Sequence, residues 1–141
     1  MKKTEIEPCF GYSIRRANRV ISQIYNEHFA SIGLRGTQFT MLRALHYMGT
    51  TTAAQLREAL VLEQTTVSRA LQPLIRDGYI VASEGETKRE KNLSLTREGE
   101  TLYQQALVPW QAAQQQVKKV LSTTQQENLL RLNKKIVGMK S

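Results

Sequence analysis

Residues able to do chemistry are few in this chain, and their spacing argues for binding rather than turnover. Its 141 residues hold one cysteine, Cys9, and two histidines, His28 and His46. If residues 13–32 are helical, Cys9 and His28 stand about 28 Å apart at ~1.5 Å per residue, too far to share a metal within one chain. A lone cysteine excludes an internal disulfide and any paired-cysteine metal or redox motif. No Walker loop, nucleophile elbow, HExxH helix or dinucleotide fingerprint occurs. The acids are mostly single and interleaved with bases. The expectation is a protein with no catalytic activity, no metal site and no cofactor.

The polar residues that do cluster suit recognition. Gln64, Thr65, Thr66, Ser68, Arg69 and Gln72 share a stretch whose apolar stripe is Val67, Leu71, Leu74 and Ile75. In a helix-turn-helix the second helix enters the major groove and its N-terminal residues reach base edges. Short hydroxyls allow close approach, Arg69 can pair bidentately with guanine, and Gln64 or Gln72 with adenine. By periodicity alone, the solvated face of an amphipathic helix explains these residues equally well; a hairpin directly downstream favours DNA. In that hairpin Lys88, Arg89 and Lys91 are offset by Glu86 and Glu90. A loop so placed lies along phosphates or in the minor groove, where arginine is favoured. Arg89 is the candidate for insertion, with Lys88 and Lys91 on the backbone.

These residues need elements to position them. A first helix is expected over residues 8–32, where Ile14, Ala17, Ile21, Ile24, Tyr25, His28 and Ile32 recur at helical steps. Pro8 suits its first turn, Gly33 ends it, and Arg15, Arg16 and Arg19 fall away from the stripe. Residues 37–48 follow as a second helix, with Phe39, Leu42, Leu45 and His46 inward. The capping box Thr52-Ala53-Ala54-Gln55 opens a short helix that buries Leu56, Ala59 and Leu60. The turn Val61-Leu62-Glu63 leads to the helix 64–77, ended by Gly78 and expected to bend at Pro73, which removes a helical hydrogen bond. Residues 79–83 and 93–96 then read as two strands around a charged, glycine-containing loop, a β-hairpin. Thr96 caps a long helix carrying Leu102, Tyr103, Ala106, Leu107, Trp110, Val117 and Leu121, bent at Pro109. Thr124-Gln125-Gln126-Glu127 reads as the box opening a final helix with Leu129, Leu130, Leu132, Ile136 and Val137.

The fold class is therefore mainly α with a small β-hairpin: a winged helix-turn-helix between long N- and C-terminal helices. The length suits a single domain over residues 1–141. Neither terminal helix can bury its apolar face inside so small a centre, so 8–32 and 97–141 are expected to be dimerisation helices around a DNA-binding lobe at 34–96. Lys and Arg number 20 against 12 Asp and Glu, a net +8 that favours polyanionic partners. No run approaches the ~18 apolar residues of a membrane span, and residues 1–8 lack the pattern of a signal peptide. No membrane partner and a cytoplasmic location are expected.

In order and spacing these segments resemble the MarR family of bacterial winged-helix regulators. The resemblance rests on Gly33-Leu34-Arg35-Gly36-Thr37-Gln38-Phe39, on Thr65-Thr66-Val67-Ser68-Arg69, on Asp77-Gly78-Tyr79-Ile80, and on Arg89 followed by Leu93-Ser94-Leu95-Thr96-Arg97-Glu98-Gly99. It implies a homodimer on a pseudo-palindromic operator in double-stranded DNA, a repressor released by a small-molecule effector or an oxidant. Family wings commonly carry an Asp two residues before the inserted arginine; here Thr87 stands there. The resemblance also implies an effector cleft between the dimer helices and the DNA-binding lobe, for which Tyr25, Phe29, Phe39, His46 and Trp110 are candidates; as core residues they are equally explained. Cys9-Phe10-Gly11-Tyr12 looks like the reactive-cysteine region of a peroxide-sensing branch. The tyrosines that would bond the thiol are replaced by Gly36 and Phe39, so Cys9 reads as a small buried hydrophobe, with thiol-based oxidant sensing as the alternative. A helical adaptor that binds protein rather than DNA is the rival from another class.

Overall fold

The computed structural model describes residues 7–86 and 90–140. Six helices and three short strands follow one another: α1 (Phe10–Phe29), α2 (Gly36–Met48), β1 (Thr51–Thr52), α3 (Ala53–Leu60), α4 (Gln64–Arg76), β2 (Ile80–Glu84), β3 (Lys91–Leu95), α5 (Arg97–Lys118) and α6 (Thr123–Val137). Short 3-10 turns extend α1 over Ala30–Ile32 and α6 over Gly138–Lys140. Pro8 lies outside α1, because Cys9 is its extended N-cap residue. Among the described residues no helix is long and apolar enough to cross a membrane.

The sheet has three strands, not two. β2 and β3 form the expected antiparallel hairpin, running from Ile80 opposite Leu95 to Glu84 opposite Lys91. β1 adds to the far edge of β3, with Thr51 opposite Leu93 and Thr52 opposite Asn92. Two residues carry no alternation, so only the distant partner strand makes this segment β. Thr52 also begins α3: its hydroxyl accepts from the Gln55 N–H at 3.1 Å, and Gln55 Oε1 accepts from the Thr52 N–H at 2.9 Å. That reciprocal box satisfies two otherwise orphaned donors.

The core sits where α2, α4 and α5 converge on the sheet, with Phe29, Met41, Leu42, Leu56, Val67 and Ile80 fully buried. Ala59 and Ile75, expected inside, are exposed. Each lies at the edge of its helix's apolar arc, and Ile75 is 38% exposed. Only the C-terminal half of the α1 stripe is covered: Ile21, Ile24, Tyr25 and His28 are part-buried, whereas Ile14 and Ile32 are exposed. α6 buries none of its residues within the chain. Its cap is the box Ser122-Thr123-Thr124-Gln125, with Ser122 Oγ accepting from the Gln125 N–H at 3.1 Å. Three overlapping sequences satisfy the pattern, and the earliest is the one used, soon after α5 ends at Lys118.

The joint between α4 and α5 decides how the lobe is held. α4 ends with Gly78 at φ 82° and the Tyr79 N–H bonded back to the Leu74 carbonyl at 2.8 Å, a left-handed termination open to glycine. Thr96 then clasps this exit. Its hydroxyl donates to the Gly78 carbonyl at 2.6 Å, its N–H donates to the Tyr79 carbonyl at 3.1 Å, and the same hydroxyl accepts from the Gly99 N–H at 3.0 Å. Gly99 lies so close that a Cβ there would run into the Tyr79 carbonyl oxygen. Gly99→Ala is accordingly expected to destabilise the fold by about 1–3 kcal/mol, the usual range for overpacking a tight contact. Urea unfolding measures it, and an unchanged midpoint would show that the joint yields freely.

Candidate nucleic-acid interface and adjoining cleft

α3, the turn after it and α4 form the helix-turn-helix. Val61, in the turn, has φ 54° and ψ 51°, an unfavourable left-handed conformation for a β-branched residue. The Leu62 N–H returns to the Arg57 carbonyl at 3.1 Å and the Val67 N–H to the Glu63 carbonyl at 3.1 Å, so the chain passes directly into α4. The helix buries Val67, Ala70, Leu71 and Leu74 and continues through Pro73.

Burial on one side decides what points away. Gln64, Thr65, Ser68, Arg69 and Gln72 are exposed, and Thr66 is half-buried at the edge. Thr65, Arg69 and Gln72 stand four and then three residues apart, one line along the outward face. Arg76 continues that line and is also exposed, a position the sequence reading passed over although it lies seven residues after Arg69. Its Nε and Nη2 donate to the two Asp77 carboxylate oxygens at 3.0 and 3.2 Å. The hydrogen bond from Arg76 holds the Asp77 carboxyl below its ordinary range. Arg69 has no ion pair with any described residue, so its guanidinium is uncommitted among them.

Downstream, the hairpin brings Lys91 into β3, exposed and opposite Glu84. It was expected in the loop. The strands run further toward the tip than the expected 79–83 and 93–96, because the charged residues Glu84 and Lys91 pair across the ladder. The Gly85 N–H donates to the Glu90 carbonyl at 3.0 Å. Thr87, Lys88 and Arg89 lie outside the described residues.

A cleft of about 620 Å³ opens between α1, α2 and α5. Tyr25, Phe29, Phe39 and Trp110 line it, with Phe29 and Phe39 ring centroids 4.7 Å apart and Phe39 and Trp110 6.3 Å apart. Tyr25 hydrogen-bonds Gln114 of α5, and burial pushes its hydroxyl pKa up against the lowering pull of Arg43. His46 is not in the lining. It turns to α5, where its ring stacks on Tyr103 at 4.5 Å.

Arg43 is the one charged side chain among the described residues of the cleft. It lies 5.2 Å from the Trp110 ring and 5.8 Å from the Tyr47 ring, within cation–π range. The four-residue spacing Phe39, Arg43, Tyr47 placed these on one face of α2, a signal available in the sequence. Cys9 is exposed at the start of α1, not buried, and its side chain makes no capping hydrogen bond. His28 Nε2 donates to Gln116 Oε1 of α5 at 2.8 Å. No group of three metal-ligating side chains gathers among the described residues.

A buried three-helix lobe, an outward polar helix face and an antiparallel hairpin define a winged helix-turn-helix protein. The profile of the MarR family matches residues 32–90. The HTH-type transcriptional regulator YwoH of Bacillus subtilis is 32% identical over 94 residues, covering 67% of this chain and 69% of its own. The chain belongs to the MarR family. Its fold is similar to that of the Mycobacterium tuberculosis regulator MOSR in complex with DNA, with a TM-score of 0.79 and 26% identity over 95% of this chain and 100% of that one. Bordetella bronchiseptica BpsR, whose DNA binding is regulated by 6-hydroxynicotinic acid, has a TM-score of 0.82 at 21% identity, covering 89% and 96%.

One ion pair offers a test of this geometry. His46 Nδ1 lies 2.8 and 3.0 Å from the two Glu100 oxygens, and hydrogen bonds from His46 and then Gln104 hold the Glu100 carboxyl below its ordinary 4.5. A carboxylate depressed on folding stabilises above its unfolded pKa, and that contribution is lost as pH falls through the folded value. The stability advantage of wild type over Glu100→Gln should be present above pH 4.5 and shrink as pH falls below it. Paired urea titrations measure it; a gap independent of pH would contradict the pairing.

Proposed function

We propose that the chain is a homodimeric, sequence-specific DNA-binding transcriptional regulator, a repressor released by a small molecule, with no catalytic role of its own. The observation that carries this reading is the outward face of α4, where Thr65, Arg69 and Gln72 are exposed on a helix-turn-helix. Gln64, Thr66 and Ser68 flank that line and complete the base-reading set. Lys88 and Arg89, between the two hairpin strands in sequence, with Lys91, supply phosphate and minor-groove contacts. Phosphate contacts give most of the affinity and its salt dependence, while base contacts give specificity. Such a protein works in the cytoplasm with the DNA it binds.

The single domain divides into a DNA-binding lobe at 34–96 and dimerisation helices at 8–32 and 97–141. Support comes from apolar residues that the chain leaves bare: Phe10 is 90% exposed, Val20 56%, Leu130 71% and Val137 55%. A partner copy would cover them, and would set two α4 helices toward the half-sites of a pseudo-palindromic operator, about one helical turn or a multiple apart.

The cleft is the effector site in this reading. Its aromatic walls suit a flat ring, and Arg43 suits a carboxylate. BpsR, regulated by an aromatic hydroxy acid, supports that chemistry. Oxidant sensing through Cys9 has no comparable support, since its thiol is given no hydrogen-bonding cap partner. Family membership favours DNA binding over a helical adaptor.

Two measurements test this. On a duplex selected by the protein from a random pool, Arg69→Ala should cost ~1–3 kcal/mol and relax preference at one base, whereas Lys88→Ala should weaken all sequences alike and lower the salt slope by about 1. Unchanged binding by both variants in a mobility-shift titration would remove α4 and the wing from the interface. With hydroxylated aromatic acids as releasing agents, Arg43→Gln should raise the half-releasing concentration about tenfold, the scale of a lost charge-assisted hydrogen bond. Equal release would place the ligand elsewhere.

A further inference from the structure

α2 and α5 meet at a cluster of titratable side chains that no DNA or effector contact requires. His46, near the end of α2, bonds both Glu100 oxygens of α5 at 2.8 and 3.0 Å. Its ring stacks on Tyr103 at 4.5 Å and meets Tyr47 edge-on at 5.0 Å. Tyr47, in ring contact with His46, also lines the cleft beside Arg43. One side of the cluster thus touches the proposed effector site.

The other side touches the clasp that holds the reading helix. Glu100 lies in the first turn of α5, and its N–H donates to the Thr96 carbonyl at 3.0 Å. Thr96 holds the Gly78 carbonyl at 2.6 Å, and its neighbour Gly99 seats against Tyr79. From Tyr47 to the exit of α4 the path is continuous: Tyr47, Tyr103 and His46, Glu100, Thr96, Gly78.

We propose that His46 and Glu100 are a positioning pair that links protonation and cleft occupancy to DNA affinity. With an imidazolium against the carboxylate, α5 is drawn to α2 and α4 is kept where both half-sites can be met. Loss of that proton, or displacement of Tyr47 by a molecule in the cleft, loosens the pair. The inference rests on the DNA-binding reading above.

The groups facing the imidazole are Glu100 and Tyr103 from α5, and Tyr47 from its own helix. Histidine is the side chain whose charge ordinarily changes between pH 5 and 8. Tyr103 stays neutral there, since burial and then the Tyr47 hydrogen bond push its hydroxyl upward. Glu100, already depressed, is ionised over the whole range.

The test uses the full chain and the duplex it selects from a random pool, with affinity measured by fluorescence anisotropy from pH 5.5 to 8.0 at fixed ionic strength. Wild-type Kd should rise across this range about two- to fivefold more than that of Glu100→Gln, the scale of a part-exposed ion pair. His46→Lys, which keeps a positive charge, should retain the tighter affinity at pH 8, and His28→Gln should keep the wild-type profile. His46→Gln repeats the comparison from the other partner should Glu100→Gln fold poorly. Parallel pH profiles for wild type and the pair variants, with tight binding throughout, would overturn the positioning role. Failure of wild type to prefer any duplex over random DNA at any pH would instead overturn the DNA-binding reading.

Discussion

Everything the lobe does depends on one joint, where the first turn of α5 is seated on the carbonyls that leave α4. Thr96 spends its hydroxyl twice, donating to the Gly78 carbonyl and accepting from Gly99. Gly99 brings the helix closer than any side chain would allow. Backbone oxygens just past a helix end need donors, and here the following long helix supplies them. The helix that faces solvent with Arg69 and Gln72 is therefore tied to the helix that lines the cleft with Trp110 and Gln114. The outward face of α4 and the aromatic cleft are thereby joined through one helix, α5.

Electrostatics are distributed differently from what net charge alone suggests. Among residues 102–141, Lys118, Lys119, Arg131, Lys134, Lys135 and Lys140 are opposed only by Glu127. Much of the +8 therefore sits on the helices assigned to dimerisation. The outward face of α4 carries Arg69 and Arg76, and Arg76 is held by Asp77. Net charge acts on a polyanion over a distance set by salt, while the proposed choice of sequence rests on a few side chains of α4.

Much of this was legible in the residues, and what was not has physical reasons. The capping box at Thr52 and the cap at Thr96 are local hydrogen-bond patterns, so sequence order suffices to find them. β1 was not found, because Thr51 and Thr52 are strand only through Leu93 and Asn92, forty residues on. The box opening α6 was misplaced by two residues, since where α5 stops is set by packing rather than by the capping pattern. Ile14 read as inward, and its helical phase agrees; it is exposed because nothing within one chain reaches that half of α1. His46 was grouped with the cleft aromatics by type, yet its partner Glu100 lies 54 residues away on α5. A spacing argument has no access to such a pairing. Arg43 and Tyr47, by contrast, follow from Phe39 at four-residue steps and were within reach.

The central claim is that two copies of α4 read two half-sites from one face of the duplex. A hydroxyl-radical and methylation-interference footprint of the full chain on its selected duplex tests it most directly. The account predicts two interference patches in the major groove, related by a two-fold axis and centred about 10 bp or a multiple apart, with backbone protection flanking each. A single patch, or uniform protection without base interference, would contradict it.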